Sequence, residues 1–245
     1  MPARRRYLPP VDIGRLILWD VDGTLVRAGD IGAAVFDLAL HAVLGRRPGQ
    51  RVSMSGKTDP QIVREYLRQM GEPETPETIE AVLRGIEGQL AAAAADGELL
   101  ESGFACAGVA EVLAGLDRHP AVVSSLLTGN VYPNALVKVG AFGLDRYLDL
   151  EVGAYGSDHH DRNELVPVAL RRLEDERGVR LSGEQVWVIG DTPRDLECAR
   201  AGGARCLLVA TGRYRLEELA DLGADQVRAD LADTDSVLEL LTSGL

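Results

Sequence analysis

The sequence predicts an α/β fold: a parallel sheet with helices on both faces, interrupted by an all-helical segment just after the first strand. Three observations carry this. Short, unbroken apolar runs such as Leu16-Ile17-Leu18-Trp19 and Val186-Trp187-Val188-Ile189 read as strands buried on both sides. These runs alternate with helical stretches, the signature of βαβ units. Between about residues 30 and 100, in contrast, nothing alternates like a strand.

Taken in order, the first strand runs into Asp20-Val21-Asp22-Gly23-Thr24, and 25–32, with Gly29 and Gly32 as breakers, reads as a loop. Ala33, Phe36, Leu40 and Val43-Leu44 then repeat at helical spacing, and Gly45 and Pro48 end that helix. Ser55-Gly56-Lys57-Thr58 reads as a loop, with Asp59 as the cap of a helix whose first turn holds Pro60. Ile62, Val63, Tyr66, Leu67 and Met70 line one face of that helix, and a third helix spans about 76–95. Beyond residue 107 the pattern changes. A helix through Val109, Val112, Leu113 and Leu116 leads to a strand over 121–127, a helix over 133–142 and a short strand near 147–152. An amphipathic helix over 163–178, a strand over 185–189, a helix over 193–201 and a strand over 205–209 follow. Helices near 215–222 and 236–241 close the chain.

The 245 residues are 46% hydrophobic and 26% charged, the make-up of an ordinary globular protein, and with 4% aromatics the core is aliphatic. A formal net charge of −12 argues against nucleic acid or an anionic membrane surface as partner. An acidic chain that handles anionic substrates needs local cations, supplied by a metal or by placed Arg and Lys. Cys106, Cys198 and Cys206 have neither disulfide-framework nor zinc-site spacing, read as packing residues, and fit a reducing, cytoplasmic setting. Arg4-Arg5-Arg6 lacks a following apolar stretch, so it reads as a solvated, frayed terminus rather than a signal peptide.

Polar groups recur where strands end, and in a parallel sheet those ends share one edge. Asp20 and Asp22 follow the first strand, Thr128 the second, and Asp191 with Asp195 another, while Arg162 lies just ahead of a helix in the same half. On one strand face Asp20 and Asp22 would need a cation or a proton between them, because adjacent carboxylates resist ionising together. The composite suits phosphoryl chemistry. One carboxylate can attack phosphorus, a second can protonate the leaving oxygen and then activate water, and others can hold a hard cation. A hydroxyl and a guanidinium can bind the remaining phosphoryl oxygens. Asp158-His159-His160-Asp161 resembles a metal cluster, but adjacent loop histidines are expected to point apart, which favours a solvated loop.

Asp20-Val21-Asp22-Gly23-Thr24, Leu126-Leu127-Thr128-Gly129-Asn130 and Gly190-Asp191-Thr192-Pro193-Arg194-Asp195, in that order, resemble the motifs of the haloacid dehalogenase superfamily of hydrolases. The resemblance implies a Rossmann-like core over 1–27 and 104–245, with 28–103 as an all-helical cap. That cap resembles those of small-molecule phosphatases such as phosphoglycolate phosphatase, and of β-phosphoglucomutase. It implies Asp20 as nucleophile, Asp22 as general acid and base, and Thr128 and Arg162 as phosphoryl-binding groups. Mg²⁺ would be held by Asp20, the main-chain carbonyl of Asp22, Asp191 and Asp195. Gly23, Thr24, Gly129 and Asn130 would line the phosphate site, and Lys57, in a loop resembling the cap's G-x-T-D motif, would reach an anionic part of the substrate. Arg162 departs from the family's more usual lysine-proline at this point, although an arginine fork suits phosphate oxygens. An acid at Asp22 favours phosphate esters over carbon–halogen bonds, since an alkoxide leaving group needs a proton and a halide does not. The expectation is Mg²⁺-dependent hydrolysis of a small phosphorylated metabolite by a monomer or homodimer. A phosphomutase would share nearly every motif, whereas a receiver domain would lack both the insertion and the first motif.

Overall fold

The computed structural model describes residues 13–245, so the arginines at 4–6 lie outside the described residues. Arg15–Trp19 (β1) is buried throughout, and its side chains alternate between two apolar layers. Ile17 and Trp19 enter one layer, Leu16 and Leu18 the other. Val122–Leu126 (β4) and Val186–Gly190 (β5) flank β1 in parallel, pairing Trp19 with Leu126 on one side and Ile189 on the other. Arg205–Val209 (β6) and Gln226–Arg228 (β7) extend the sheet to the order β4-β1-β5-β6-β7. Helices Val109–Asp117 (α5), Tyr132–Ala141 (α6) and Thr234–Thr242 (α10) cover one face; Leu165–Arg177 (α7), Pro193–Ala201 (α8) and Leu216–Ala220 (α9) cover the other. Burial on both faces explains why the strands read as unbroken apolar runs. The three cysteines are free and buried within these two layers.

The segment after β1 leaves and returns through a short antiparallel pair, Val26–Arg27 (β2) with Phe104–Ala105 (β3). Between them lie Ile31–Leu44 (α1), Asp59–Met70 (α2), Pro76–Ala95 (α3) and Glu98–Ser102 (α4). Val35, Phe36 and Leu40, Ile62, Tyr66 and Leu67, and Val82, Ile86 and Leu90 form a third apolar cluster, against which Val137 and Ala141 of α6 and Phe142 just beyond it pack. No helix among the described residues is long and apolar enough to cross a membrane.

Three local expectations need correction. The strand expected over 147–152 does not form: Asp145–Tyr147 is a 3-10 turn, and the chain is pinned to β4 at two points instead of along a ladder. The Asp149 N–H donates to the Ser124 carbonyl at 2.8 Å and the Ala154 N–H to the Leu126 carbonyl at 2.8 Å. The Asp149 carboxylate is drawn aside by Arg177 at 2.7 Å, so the alternation of 147–152 serves an ion pair, not a pleat. The cap of α2 is Thr58, not Asp59: the Gln61 N–H donates to Thr58 Oγ1 at 3.4 Å and the Thr58 N–H to Gln61 Oε1 at 3.2 Å, a capping box. Asp59 is thereby freed to accept from the Val131 N–H at 3.0 Å and Asn134 Nδ2 at 3.1 Å, tying α2 to the start of α6. His159 and His160 do not point apart either; their rings stack with centroids 4.7 Å apart.

Candidate active site

The chain reverses direction across the sheet at β1: β4 lies on one side and β5 on the other. The carboxyl ends of β1 and β5 are therefore the switch point, where open α/β sheets leave a crevice. A cavity of about 620 Å³ opens there, lined by Asp20, Asp22, Gly23, Thr128, Gly129, Asn130, Lys138, Arg162 and Asp191, with Lys57, Phe36, Met54 and Ile62 from the helical segment.

Asp20 is the first residue past β1, and its N–H continues the ladder to the Ile189 carbonyl at 2.9 Å. Its buried carboxylate meets Arg162, whose guanidinium lies 3.0 Å from Asp20 Oδ1. The same guanidinium pairs with Asp195 and reaches the Leu127 carbonyl at 3.4 Å. Arg162 sits in a 3-10 turn, Arg162–Glu164, capped by Asp161, whose Oδ1 accepts from the Asn163 N–H at 3.0 Å. Asp195 lies in the first turn of α8, and its other oxygen takes the Thr192 N–H at 2.9 Å and hydroxyl at 2.7 Å. Burial works against the Arg162 charge, but Asp195 and Asp20 together push its pKa up, so the cation is secure.

Asp191 follows β5 and is buried, with the Thr24 hydroxyl at 3.5 Å as its hydrogen-bond donor. Gly23, at φ 90°, lets the backbone lie against it; a Cβ there would stand 2.6 Å from Asp191 Oδ2. Asp20, Asp191 and Asp195 each offer a carboxylate oxygen within 4.8 Å of the others, the one such acidic group among the described residues. Burial, opposed by Arg162 and reinforced by Asp195 and Asp22, raises Asp20 to about 6. Burial, then Asp195 and Asp20, raises Asp191 to about 8. Three buried acids sharing one guanidinium carry an excess of negative charge, and their hard oxygen donors fit a small divalent cation. No such group forms at Asp158-His159-His160-Asp161.

Asp22 behaves differently, and the expectation that one strand face carries both acids fails. β1 ends at Trp19, and the Val21 carbonyl collects the N–H groups of Leu25 and Val26, both at 3.0 Å, curling the chain away. Each acid then has its own cation. Lys138 Nζ lies 2.7 Å from Asp22 Oδ1 and 2.6 Å from Oδ2, and Asn130 Nδ2 donates to Oδ2 at 2.7 Å. Thr128, fully buried after β4, accepts at Oγ1 from Asn130 Nδ2 at 2.8 Å and from the Asn130 N–H at 3.3 Å, which leaves its own proton for an acceptor in the cavity. Lys57 lines the cavity while paired with Glu65 at 2.5 Å. Lys138 is not marked by any motif. Its one sequence signal is a lysine on the same face of α6 as buried Asn134 and Ala135.

The model of the haloacid dehalogenase-like hydrolase family matches residues 17–200 of this chain. No curated protein matches it in sequence. Among solved structures, the chain is similar to CbbY from Rhodobacter sphaeroides in complex with phosphate, with TM-score 0.70 and 22% identity over 89% of this chain and 95% of that one. A hydrolase from Pseudomonas syringae superposes with TM-score 0.69 and 21% identity, over 94% of this chain and 100% of that one. A predicted phosphoglycolate phosphatase from Haemophilus somnus gives TM-score 0.63 and 19% identity over 93% and 98%.

Proposed function

Because the chain belongs to the haloacid dehalogenase-like hydrolase family, we propose that it is a phosphatase that hydrolyses a small phosphorylated metabolite through an aspartyl-phosphate at Asp20. The observation that carries this reading is the placement of Asp20: a buried carboxylate against a guanidinium, beside Asp191, in a cavity that also receives the Thr128 hydroxyl. Residues 28–103 act as a cap that closes the cavity from the side opposite the sheet.

An Asp20 oxygen attacks phosphorus, the ester P–O bond breaks with its electron pair passing to the leaving oxygen, and the Asp22 carboxyl gives that oxygen a proton. The ionised Asp22 then takes a proton from water as the water oxygen attacks phosphorus, and the bond from Asp20 to phosphorus breaks to release orthophosphate. Arg162 and Thr128 bind the phosphoryl oxygens whose charge grows in both steps. Mg²⁺, held by Asp20, Asp191 and the main-chain carbonyl of Asp22, would neutralise phosphoryl charge when bound. Asp195 acts on that group mainly through charge and through Arg162, since Thr192 and Arg162 already occupy its oxygens. Asp20→Asn is expected to lower p-nitrophenyl phosphate turnover by on the order of a thousandfold or more while the far-UV circular dichroism stays unchanged. Substantial residual turnover would remove Asp20 as nucleophile. A phosphate-release screen over phosphomonoesters then identifies the substrate.

A further inference from the structure

Lys138 is 7% exposed, and buried Ala135 and Val139 are its neighbours on α6. An ammonium in such a position is costly unless every proton finds a partner. Its partners lie in the cavity: both oxygens of Asp22, at 2.7 and 2.6 Å, and Asn130 Oδ1 at 2.7 Å. The Asp22 side chain is 44% exposed against 9% for Lys138, so a buried, fixed cation grips a carboxylate that otherwise has room to swing. Because Lys138 donates to Asn130 Oδ1, the Asn130 amide is turned with Nδ2 toward both Asp22 and Thr128 Oγ1. One ammonium thus orders the acid and, through Asn130, the hydroxyl beside it.

We infer that Lys138 is the positioning residue that aims the Asp22 carboxyl at the leaving oxygen, directly and through Asn130; this rests on the reading of Asp22 as proton donor. A residue that acts this way matters most when the leaving group is basic and needs the proton. In Lys138→Met, the pre-steady-state rate of leaving-group release is expected to fall by about a hundredfold for phenyl phosphate and only several-fold for p-nitrophenyl phosphate, with the KM of that step changed by less than about threefold for either. Asp22→Asn is expected to show the same split between the two esters, and adding Lys138→Met to it is expected to cost little more. Circular dichroism and thermal unfolding check the fold, and Lys138→Gln is read in the same way if the methionine variant does not fold. Equal losses on both esters would overturn the inference, as would a rise in KM alone, which marks a phosphate-binding cation. A split in Asp22→Asn without one in the Lys138 variant removes Lys138 only; no split in Asp22→Asn removes the Asp22 reading itself.

Discussion

At the scale of single residues, the site is a problem of charge. Among the described residues, Arg162 is the one cation in contact with both Asp20 and Asp195, and all three are almost fully buried. Removing one partner from such an arrangement leaves bare carboxylates in a low-dielectric setting. Arg162→Met is therefore expected to destabilise the protein by about 3–5 kcal/mol at neutral pH, read from urea unfolding. The loss should shrink at acid pH, where the orphaned acids can take up protons. Asp20 at about 6 and Asp191 at about 8 both lie above the ordinary 3.8. Both groups hold their protons to higher pH when folded than when unfolded. Without a cation, then, stability falls as pH rises from about 4 toward 8. A divalent cation must displace those protons, so its affinity is expected to climb between pH 6 and 8, by up to about tenfold per pH unit for each proton released. Thermal unfolding with and without Mg²⁺ checks this: the Mg²⁺-induced rise in Tm should be larger at pH 8 than at pH 6, and an equal rise would contradict it.

At the scale of elements, the helical segment is stitched to the sheet through the loop that follows β4. The Asp59 N–H donates to the Gly129 carbonyl at 2.8 Å, and Thr58 Oγ1 to the His160 carbonyl at 3.1 Å. Gly129 is required by this closeness, because a Cβ there would stand 2.1 Å from the Lys57 carbonyl oxygen. Gly129→Ala is expected to push the 55–59 loop away from Asn130 and lower kcat/KM at least tenfold, with the sheet intact by circular dichroism; wild-type kinetics would show that the loop's seating does not matter. The longer elements were legible because their apolar periods run for several residues. The two-residue strands β2 and β3 carry no period at all, and the three residues of β7 scarcely more. The stretch 147–152 has the right alternation but spends Asp149 on Arg177. The sequence does not single out Thr58 as a cap because Asp59-Pro60 is itself a good helix start, and a tertiary contact on Asp59 decides between them.

For the molecule as a whole, the parallel sheet and the meeting of strand ends could be read from the sequence, since both follow from where apolar runs stop and acids begin. The pairing of cations with acids could not. Arg162 is marked by its place before a helix, but its hold on both acids depends on a register between segments far apart in the chain, 33 residues for Asp195 and many more for Asp20. Lys138 escaped altogether, because a lone lysine on a helix reads as solvent-facing until the fold buries it. The topology turns these separate choices into one cavity, lined by the acids and cations at the strand ends and by Phe36, Met54 and Ile62 from the inserted segment. The central claim is that Asp20 carries the phosphoryl group, and trapping tests it most directly. Asp22→Ala, which lacks the base for the second step, is mixed with p-nitrophenyl phosphate, quenched and reduced with borohydride, and its peptides are mapped by mass spectrometry. Homoserine at position 20 is the predicted result. A burst of p-nitrophenolate with Asp20 left unmodified, or with the reduced residue elsewhere, would contradict it.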